Sequence, residues 1–225
     1  MLDASHERPT DGLTNWEQID LYRFFVRVFA RPSQACFEFL ARPSAAEDLR
    51  GLRRSLGCHG EPAEFTWFHT DDLYESAYIS LFDVGLPEPV VPLFESAHDK
   101  RRPAQEIALE NTYFYDVLGL KSDPTSGAPD YLITQLEFLA AVSFTLENAS
   151  REATRASLAK AKSEFLERHL LNWVAKAARK LHETGTPGFP LLMALLVQFL
   201  QREHSAAVQR LPGRPADFAF RGSVF

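Results

Sequence analysis

Hydrophobic residues recur at intervals of three and four along most of the chain, a spacing that places their side chains on one face of a helix. Only two short runs, 64–69 and 218–224, alternate in the way that indicates a strand. The helical segments predicted from this pattern are 16–29, 33–40, 44–56, 71–82, 104–118, 130–148, 153–182 with an interruption near His169, and 191–204. The chain is therefore predicted to be all-α, a single-domain helical bundle.

Residues that break or begin helices lie between these segments. Gly85 and the prolines at 87, 89 and 92 exclude a helix, which predicts a stiff extended loop. Asp130 precedes a long apolar-periodic segment, and its short side chain can accept a hydrogen bond from a first-turn amide. We therefore expect Asp130 to be the N-cap of the helix that follows it.

The composition is that of a folded protein. Of the 225 residues, 45% are hydrophobic and 24% are charged, and the formal net charge is −6. This acidic balance argues against nonspecific binding of nucleic acid, because neutralising phosphates requires clustered Lys and Arg. No linker divides the chain, so we expect a flexible N-terminus over 1–14, a helical domain over 15–205 and an irregular C-terminal tail over 206–225.

Two features bear on the compartment in which the protein works. Cys36 and Cys58 are too few for a disulfide-stabilised secreted domain, which favours reduced thiols. The polar run 1–15 lacks the apolar core of a signal peptide, and the longest apolar stretch, 191–200, is too short to span a bilayer. We therefore expect a cytoplasmic protein without stable membrane insertion.

Motifs for catalysis and metal binding are weak. The single E-x-x-H motif, Glu95–His98, is half of what a dinuclear carboxylate site in a helical bundle requires. Cys58-His59 with His69 lacks a second ligand pair at zinc spacing. The chain has neither a glycine-rich phosphate loop nor a nucleophile elbow. We expect no catalytic residue, no metal and no cofactor, and hence a protein that is not an enzyme.

Charge is distributed unevenly. Residues 61–100 contain nine acidic residues and one basic residue, whereas residues 151–183 contain eight basic and four acidic residues. Aromatic residues are interspersed with the acids, namely Phe65, Trp67, Phe68, Tyr74, Tyr78, Phe82 and Phe94. Two interpretations remain open: the two segments pair or are simply solvated, or the acids line an apolar groove that attracts a peptide with a basic head and an apolar tail.

Three ordered blocks resemble a known family. Residues 78–85 with 89–96, then 129–139, then 165–173 resemble the signatures of the TorD/DmsD/NarJ maturation chaperones. The resemblance implies an all-helical cytoplasmic chaperone that binds the twin-arginine leader or N-terminal region of the catalytic subunit of a molybdopterin oxidoreductase. Such a chaperone holds its client back from export until the molybdenum cofactor is inserted. We hypothesise the branch that serves nitrate, selenate or chlorate reductases and hydrocarbon dehydrogenases, and a monomer or weak dimer.

The resemblance also implies a peptide-binding site. Its residues in this sequence are Tyr78, Leu81, Phe82, Pro92, Glu95, Ser96, Asp130, Tyr131 and Glu137. Tyr131 stands where the family has His, so a phenol that does not titrate near neutrality replaces an imidazole that does. A structural interpretation stays open beside this one, since the 78–82 helix face can be plain core and Asp130 a cap. His169 and Trp173 are interpreted as interhelical packing residues.

A second class of function also remains open, namely a small-molecule-binding helical protein. It would be either a ligand-sensing regulator or an enzyme of unrecognised type. A DNA-binding regulator needs a basic recognition helix, whereas the helix over 16–29 carries Arg23 and Arg27 against Glu17 and Asp20. An enzyme needs a clustered nucleophile or acid–base set, which the sequence does not reveal. The peptide-binding chaperone is therefore the favoured hypothesis.

Overall fold

The computed structural model describes residues 15–56, 71–120 and 127–211, which fold into helices joined by loops. The α-helices are α1 (Asn15–Phe29), α2 (Gln34–Ala41), α3 (Pro43–Ser55), α4 (Asp71–Tyr78), α5 (Glu95–His98), α6 (Ala104–Val117), α7 (Leu132–Asn148), α8 (Glu152–Phe165), α9 (Leu171–Glu183) and α10 (Phe189–Gln209). A first π-helical turn, Ile79–Asp83, continues α4, and a second, Leu166–Leu170, joins α8 to α9. These residues include no strand, only an isolated bridge between Phe94 and Tyr131. The all-α prediction is confirmed.

The predicted helices agree with the structure apart from a few boundaries. The interruption expected near His169 is the second π-helical turn. Helix α10 begins at Phe189, because Pro190 lies in its first turn, where a missing amide costs nothing. The same helix continues to Gln209, so the prediction of an irregular tail is wrong for residues 206–209.

One helix was not predicted, and some predictions cannot be compared with the structure. Helix α5 has only four residues, too few for a periodic pattern. The predictions for 1–14, 64–69 and 212–225 lie outside the described residues. None of the helices in the described part of the chain combines the length and apolar character that a bilayer span needs.

In the described part of the chain, aromatic rings connect the helices. One group surrounds the ring of Phe189 and consists of Phe29, Tyr74, Tyr78 and Phe82. A second group joins α6, α7 and α8 and consists of Phe114, Tyr115, Phe138 and Phe165. Helix α1 packs along α7, and α9 packs along α10. The buried apolar side chains of all these helices form one continuous cluster.

A buried charge links four of the helices through hydrogen bonds. The Lys162 ammonium on α8 donates hydrogen bonds to Gln18 Oε1 on α1 (3.1 Å), to Ser143 Oγ on α7 (2.9 Å) and to Glu203 Oε2 on α10. Tyr22 OH donates to the same Glu203 oxygen over 3.2 Å. Burial lowers the pKa of Lys162, and the Glu203 carboxylate opposes that change. Because an unpaired buried charge is costly, this Lys162 cluster determines how the four helices meet.

Removing the Lys162 ammonium should lower the stability of the fold. We expect Lys162→Ala to lower the free energy of unfolding by about 3 kcal/mol or more, because Glu203 would stay buried without its partner. Urea unfolding followed by circular dichroism measures the loss. Lys160→Ala is the matched control, since Lys160 is exposed on the same helix and forms a solvent-screened pair with Glu164, and it should change stability by less than about 0.5 kcal/mol. Equal losses in the two variants would contradict this role for Lys162.

Candidate peptide-binding site

The proline-rich segment 84–94 is fastened at its C-terminal end to two helical elements. Val91 N donates to Leu81 O (2.8 Å) in the first π-helical turn, and Leu132 N at the start of α7 donates to Leu93 O (2.9 Å). At the other end, a Cβ on Gly85 would lie 2.2 Å from the carbonyl oxygen of Glu88, so only glycine fits this tight loop. The backbone therefore holds the segment in one position against the first π-helical turn and α7.

A buried carboxylate organises the residues behind this loop. Glu95 has no exposed surface, and its oxygens accept hydrogen bonds from Gln135 Nε2 (2.7 Å), Asn111 Nδ2 (3.2 Å) and His169 Nδ1 (2.9 Å). Trp173 Nε1 donates to Gln135 Oε1 over 3.2 Å. These five residues, the Glu95 cluster, come from α5, α6, α7, the second π-helical turn and α9. They join the loop to the body of the protein.

Asp130 caps a different helix from the one predicted. Its carboxylate accepts a hydrogen bond from Ser96 N over 3.0 Å, in the first turn of α5. The residue that precedes α7 is Tyr131, which makes no side-chain cap bond. The prediction that Asp130 caps the following helix is therefore wrong. A carboxylate is favourable beside the free amides at the start of any helix, and the amide bonded to Asp130 here belongs to α5.

Four of the proposed peptide contacts lie in the core. Tyr78, Leu81 and Phe82 are between 1% and 4% exposed, and Pro92 is also buried. The Tyr78 hydroxyl donates to Phe29 O over 3.1 Å and lies 3.4 Å from the Tyr131 hydroxyl. Burial raises the pKa of Tyr78 well above its usual value, so the phenol stays neutral. In this conformation these side chains support the loop from beneath, and their contact with a peptide stays a prediction.

The exposed side of the loop is apolar. Phe94, which is 37% exposed, packs on the half-buried Tyr131 ring with 5.1 Å between ring centroids. Beyond them, Val84, Leu86 and Val90 are 64%, 101% and 50% exposed. We call these five residues the Phe94 surface. The prolines of this segment were the signal in the sequence for the Phe94 surface. They predict a loop outside any helix or sheet, and such a loop leaves one of its sides exposed.

The charges around the Phe94 surface are mainly acidic. Burial raises the pKa of Tyr131, the Tyr78 hydroxyl and the Arg31 guanidinium oppose that rise, and the carboxylates of Asp83 and Glu137 add to it. Glu137 lies at the surface, and its partial burial raises the pKa of its carboxyl. Two exposed pairs, Arg31–Asp83 (3.5 Å) and Lys100–Glu88 (3.9 Å), are of the weak, solvent-screened kind.

Both side chains of the E-x-x-H motif contact other residues inside the protein. Glu95 faces His169, whereas His98 stacks on Trp173 with 5.2 Å between ring centroids and places Nε2 2.7 Å from Pro92 O. Within the described ranges, no three His, Cys, Asp or Glu side chains are grouped to hold a metal ion. Residues 58, 59 and 69 lie outside those ranges, so the expectation of no metal stays a prediction.

Ser96 and Glu137 complete the predicted site, and two residues of the Glu95 cluster were not predicted. Ser96 is half-buried and contributes its backbone amide, while Glu137 is on the exposed side of α7. Asn111 and Gln135 carry no motif that could have revealed them. The expectation that His169 and Trp173 are packing residues is confirmed, since both are fully buried between helices.

The amino-acid sequence of this all-α protein is similar to those of known proteins. Residues 42–179, more than half of the chain, match the family model described as nitrate reductase delta subunit. The chain therefore belongs to this family, the NarJ/TorD family, as its resemblance predicted.

Three relatives carry more specific descriptions. The chain is 30% identical over 119 residues to the selenate reductase assembly chaperone protein of Thauera selenatis, a match that covers 52% of this chain and 62% of the relative. It is 26% identical over 130 residues to the perchlorate reductase assembly chaperone protein of Dechloromonas aromatica, covering 56% and 58%. It is 30% identical over 114 residues to the chlorate reductase assembly chaperone protein of Ideonella dechloratans, covering 50% and 59%. The chain thus spans about 60% of the length of the curated relatives that it matches.

The Glu95 cluster should be essential for stability. We expect Glu95→Ala to cost about 3 kcal/mol or more of unfolding free energy, because three buried donors each lose an acceptor. Asn111 Nδ2 keeps Ile107 O and Gln135 Nε2 keeps Asn111 Oδ1, whereas the His169 Nδ1 donor keeps none of its carboxylate partners. Urea unfolding measures this loss, with Glu137→Ala as the exposed control, which should change stability by less than about 0.5 kcal/mol. A Glu95→Ala protein as stable as the control would show that the carboxylate does not organise the loop.

Proposed function

We propose that this protein is a cytoplasmic assembly chaperone for the catalytic subunit of a molybdopterin oxidoreductase. Membership of the nitrate reductase delta subunit family supports this proposal, as do three relatives whose names are those of reductase assembly chaperones. The chain performs no catalysis of its own in this role. It binds the N-terminal region of its client, including a twin-arginine leader, before export.

The Phe94 surface is the observation that carries the proposal. Val84, Leu86 and Val90 present apolar side chains to solvent on the loop that carries Phe94 to its contact with Tyr131. A folded protein gains nothing from exposing such a group, and an apolar patch bordered by charge is typical of a protein-binding site. The apolar run of a leader would cover it.

The acidic residues beside this surface fit the basic part of a leader. Glu137, Asp83 and Glu88 border it, and the pairs that Asp83 and Glu88 form with Arg31 and Lys100 are solvent-screened. The oxygens of Glu95 and Asp130 already accept hydrogen bonds inside the protein, so we assign the contacts with the leader's arginines to the exposed acids. Tyr78, Leu81, Phe82, Pro92, Glu95, Ser96 and Asp130 then act by holding Tyr131 and Phe94 in place.

The expected affinity is moderate. Burying about 300 Å² of apolar surface contributes roughly 7 kcal/mol before ordering costs. Ordering a flexible peptide removes several kcal/mol, and charge contacts return part of it. The dissociation constant is therefore of order micromolar.

The test begins by identifying the client. The tagged chain is purified from its native cell, and the bound protein is identified by mass spectrometry; we expect a molybdopterin oxidoreductase catalytic subunit. The leader of that subunit is then titrated calorimetrically. Phe94→Ala and Tyr131→Ala should each weaken binding about fivefold or more, equivalent to about 1 kcal/mol. Leu109→Ala is the control, because Leu109 is an exposed apolar residue of α6 that does not belong to the Phe94 surface. This variant should bind the leader as tightly as the wild type does.

Phe82→Ala is a poor test, since Phe82 is buried and its loss would perturb the fold. If Phe94→Ala and Tyr131→Ala both bind the leader as tightly as the wild type does, the Phe94 surface is not the binding site, although the chaperone function could still hold. A co-purifying partner of another class, or a leader that the wild type ignores, would overturn the chaperone function and favour the small-molecule alternative.

Glu137 should show a trade-off between binding and stability. Its folded-state pKa is raised above the ordinary 4.5, so its ionised form destabilises the fold at neutral pH, and this cost disappears as the pH falls through the raised pKa. Glu137→Gln should therefore weaken leader binding at pH 7 while raising stability by about 0.5 kcal/mol or less, after solvent screening. Urea unfolding at several pH values measures the difference, which should shrink as the pH falls towards 4.5. A difference that grows on acidification would contradict the sign.

A further inference from the structure

A basic surface lies along one face of α9. Lys176, Arg179 and Lys180 are three or four positions apart, a spacing that places their side chains on the same face of a helix. Arg179 and Lys180 are exposed, and Lys176 is half-buried. The helix contains one acidic residue, Glu183, at its last position. This face is therefore basic, although the whole chain carries a formal net charge of −6.

Lys100 extends this surface from the loop that follows α5. It lies two residues beyond His98, whose carbonyl oxygen accepts a hydrogen bond from Lys176 Nζ over 3.5 Å. Burial lowers the pKa of His98, and the hydrogen bond with Pro92 O opposes that change. The positive charges of Lys180, Lys176 and Lys100 lower this pKa further, as expected where all three surround one imidazole. We define the α9 basic patch as Lys100, Lys176, Arg179 and Lys180.

The bases of α9 are paired differently from those of the preceding helix. On α8, Arg155 is 4.0 Å from a carboxylate oxygen of Glu152, and Lys160 is 3.8 Å from one of Glu164. Within the described part of the chain, the bases at 179 and 180 form no ion pair. Like charges four positions apart, such as those at 176 and 180, destabilise a helix slightly. The arrangement therefore favours an anion from outside the chain.

Two acids lie beside the patch and compensate little of its charge. Lys100 is 3.9 Å from Glu88, but both side chains are more than half exposed, so this pair is weak. Asp99 lies near Lys176, yet its carboxylate already accepts hydrogen bonds from Arg101 N (3.3 Å) and Arg101 Nε (3.1 Å). The patch therefore keeps most of its positive charge.

The form and size of the patch favour a short run of carboxylates. Small-molecule sites are concave, whereas these bases lie on an exposed helix face. A nucleic acid would continue past the patch to the acids at its borders, Glu88 beside Lys100 and Glu183 at the end of α9, which repel phosphates. A short acidic peptide segment ends before those borders, and complementary charge gives such a contact its specificity.

We propose that the α9 basic patch binds a short acidic segment of a partner protein. Carboxylates at positions i, i+3 and i+4 of a helical segment lie against Lys176, Arg179 and Lys180, and a further acid reaches Lys100. The Arg179 guanidinium binds one carboxylate through two parallel hydrogen bonds, while the lysines act as point charges. The patch shares no residue with the Phe94 surface, so this binding does not depend on the leader.

Two synthetic peptides of identical composition serve as probes. Both contain the same number of Glu residues in a helical background of Ala and Gln. In the clustered peptide the Glu residues lie at i, i+3, i+4 and i+7, on one face, whereas in the dispersed peptide they surround the helix. Fluorescence anisotropy of the dye-labelled peptides measures binding to the full chain. The clustered peptide should bind saturably, at least about fivefold more tightly than the dispersed one, and more weakly as salt is raised.

Charge reversal locates the site. Arg179→Glu and Lys180→Glu should each weaken the clustered peptide at least about fivefold, and both residues are exposed, so the fold should tolerate the changes. Lys160→Glu is the matched control, because it changes the net charge equally at an exposed base of α8 outside the patch. It should change the affinity less than about twofold. Phe94→Ala should leave the probe's affinity unchanged and weaken the leader, which separates failure of this site from failure of the leader site.

Several outcomes would overturn this assignment. Equal affinity of the two peptides, or equal weakening by Lys160→Glu and Lys180→Glu, would show that the overall charge and not the patch determines binding. Tripolyphosphate that binds at least about tenfold more tightly than the clustered peptide, and is lost in Lys180→Glu, would assign the patch to a small anion. A single-stranded oligonucleotide that binds more tightly than the peptide at the same salt concentration would assign it to nucleic acid.

Discussion

The buried carboxylate of Glu95 is the constraint on which the candidate site depends. A carboxylate removed from water must find donors inside the protein or be destabilising. The donors come from three distant parts of the chain, Asn111, Gln135 and His169, so α6, α7 and the second π-helical turn must meet at the first residue of α5. Once they meet, the preceding segment has one available path, and Phe94 is left facing solvent beside Tyr131. The exposed surface is thus a consequence of the interior polar cluster.

The Lys162 cluster plays a corresponding part elsewhere in the bundle. Apolar contacts allow two helices to pack in several registers, because many registers bury a similar area. A buried ammonium finds hydrogen-bond acceptors in only a few of those arrangements. Lys162 accepts only the arrangement in which Gln18, Ser143 and Glu203 surround it. The Glu95 cluster and the Lys162 cluster, each formed by polar side chains from several helices, specify how the aromatic core is assembled. Substituting either charge alone leaves its partners stranded in an apolar interior.

Most of the fold could be predicted from the sequence, because apolar periodicity reports directly which face of each helix is buried. The predicted break near His169 also proved right. Three things were beyond such reasoning. Helix α5 is too short to be periodic; Asp130 caps a helix more than thirty residues earlier in the chain; and Asn111 and Gln135 are amides that look the same in a sequence whether buried or exposed. The family signature pointed to the region around the proline-rich loop, yet it could not distinguish buried residues that support the exposed surface from residues that form it.

The second π-helical turn makes the junction of α8 and α9 sensitive to length. One residue advances an α-helix by about 100°, so the wider turn over Leu166–Leu170 sets the phase in which α9 leaves α8. That phase directs His169 and Trp173 inwards, where they meet Asn111 and Gln135. A loop could absorb the gain or loss of one residue here, but a continuous helix cannot. In this part of the chain, conservative substitutions are tolerable while an insertion or deletion of one residue would turn the whole of α9 out of register.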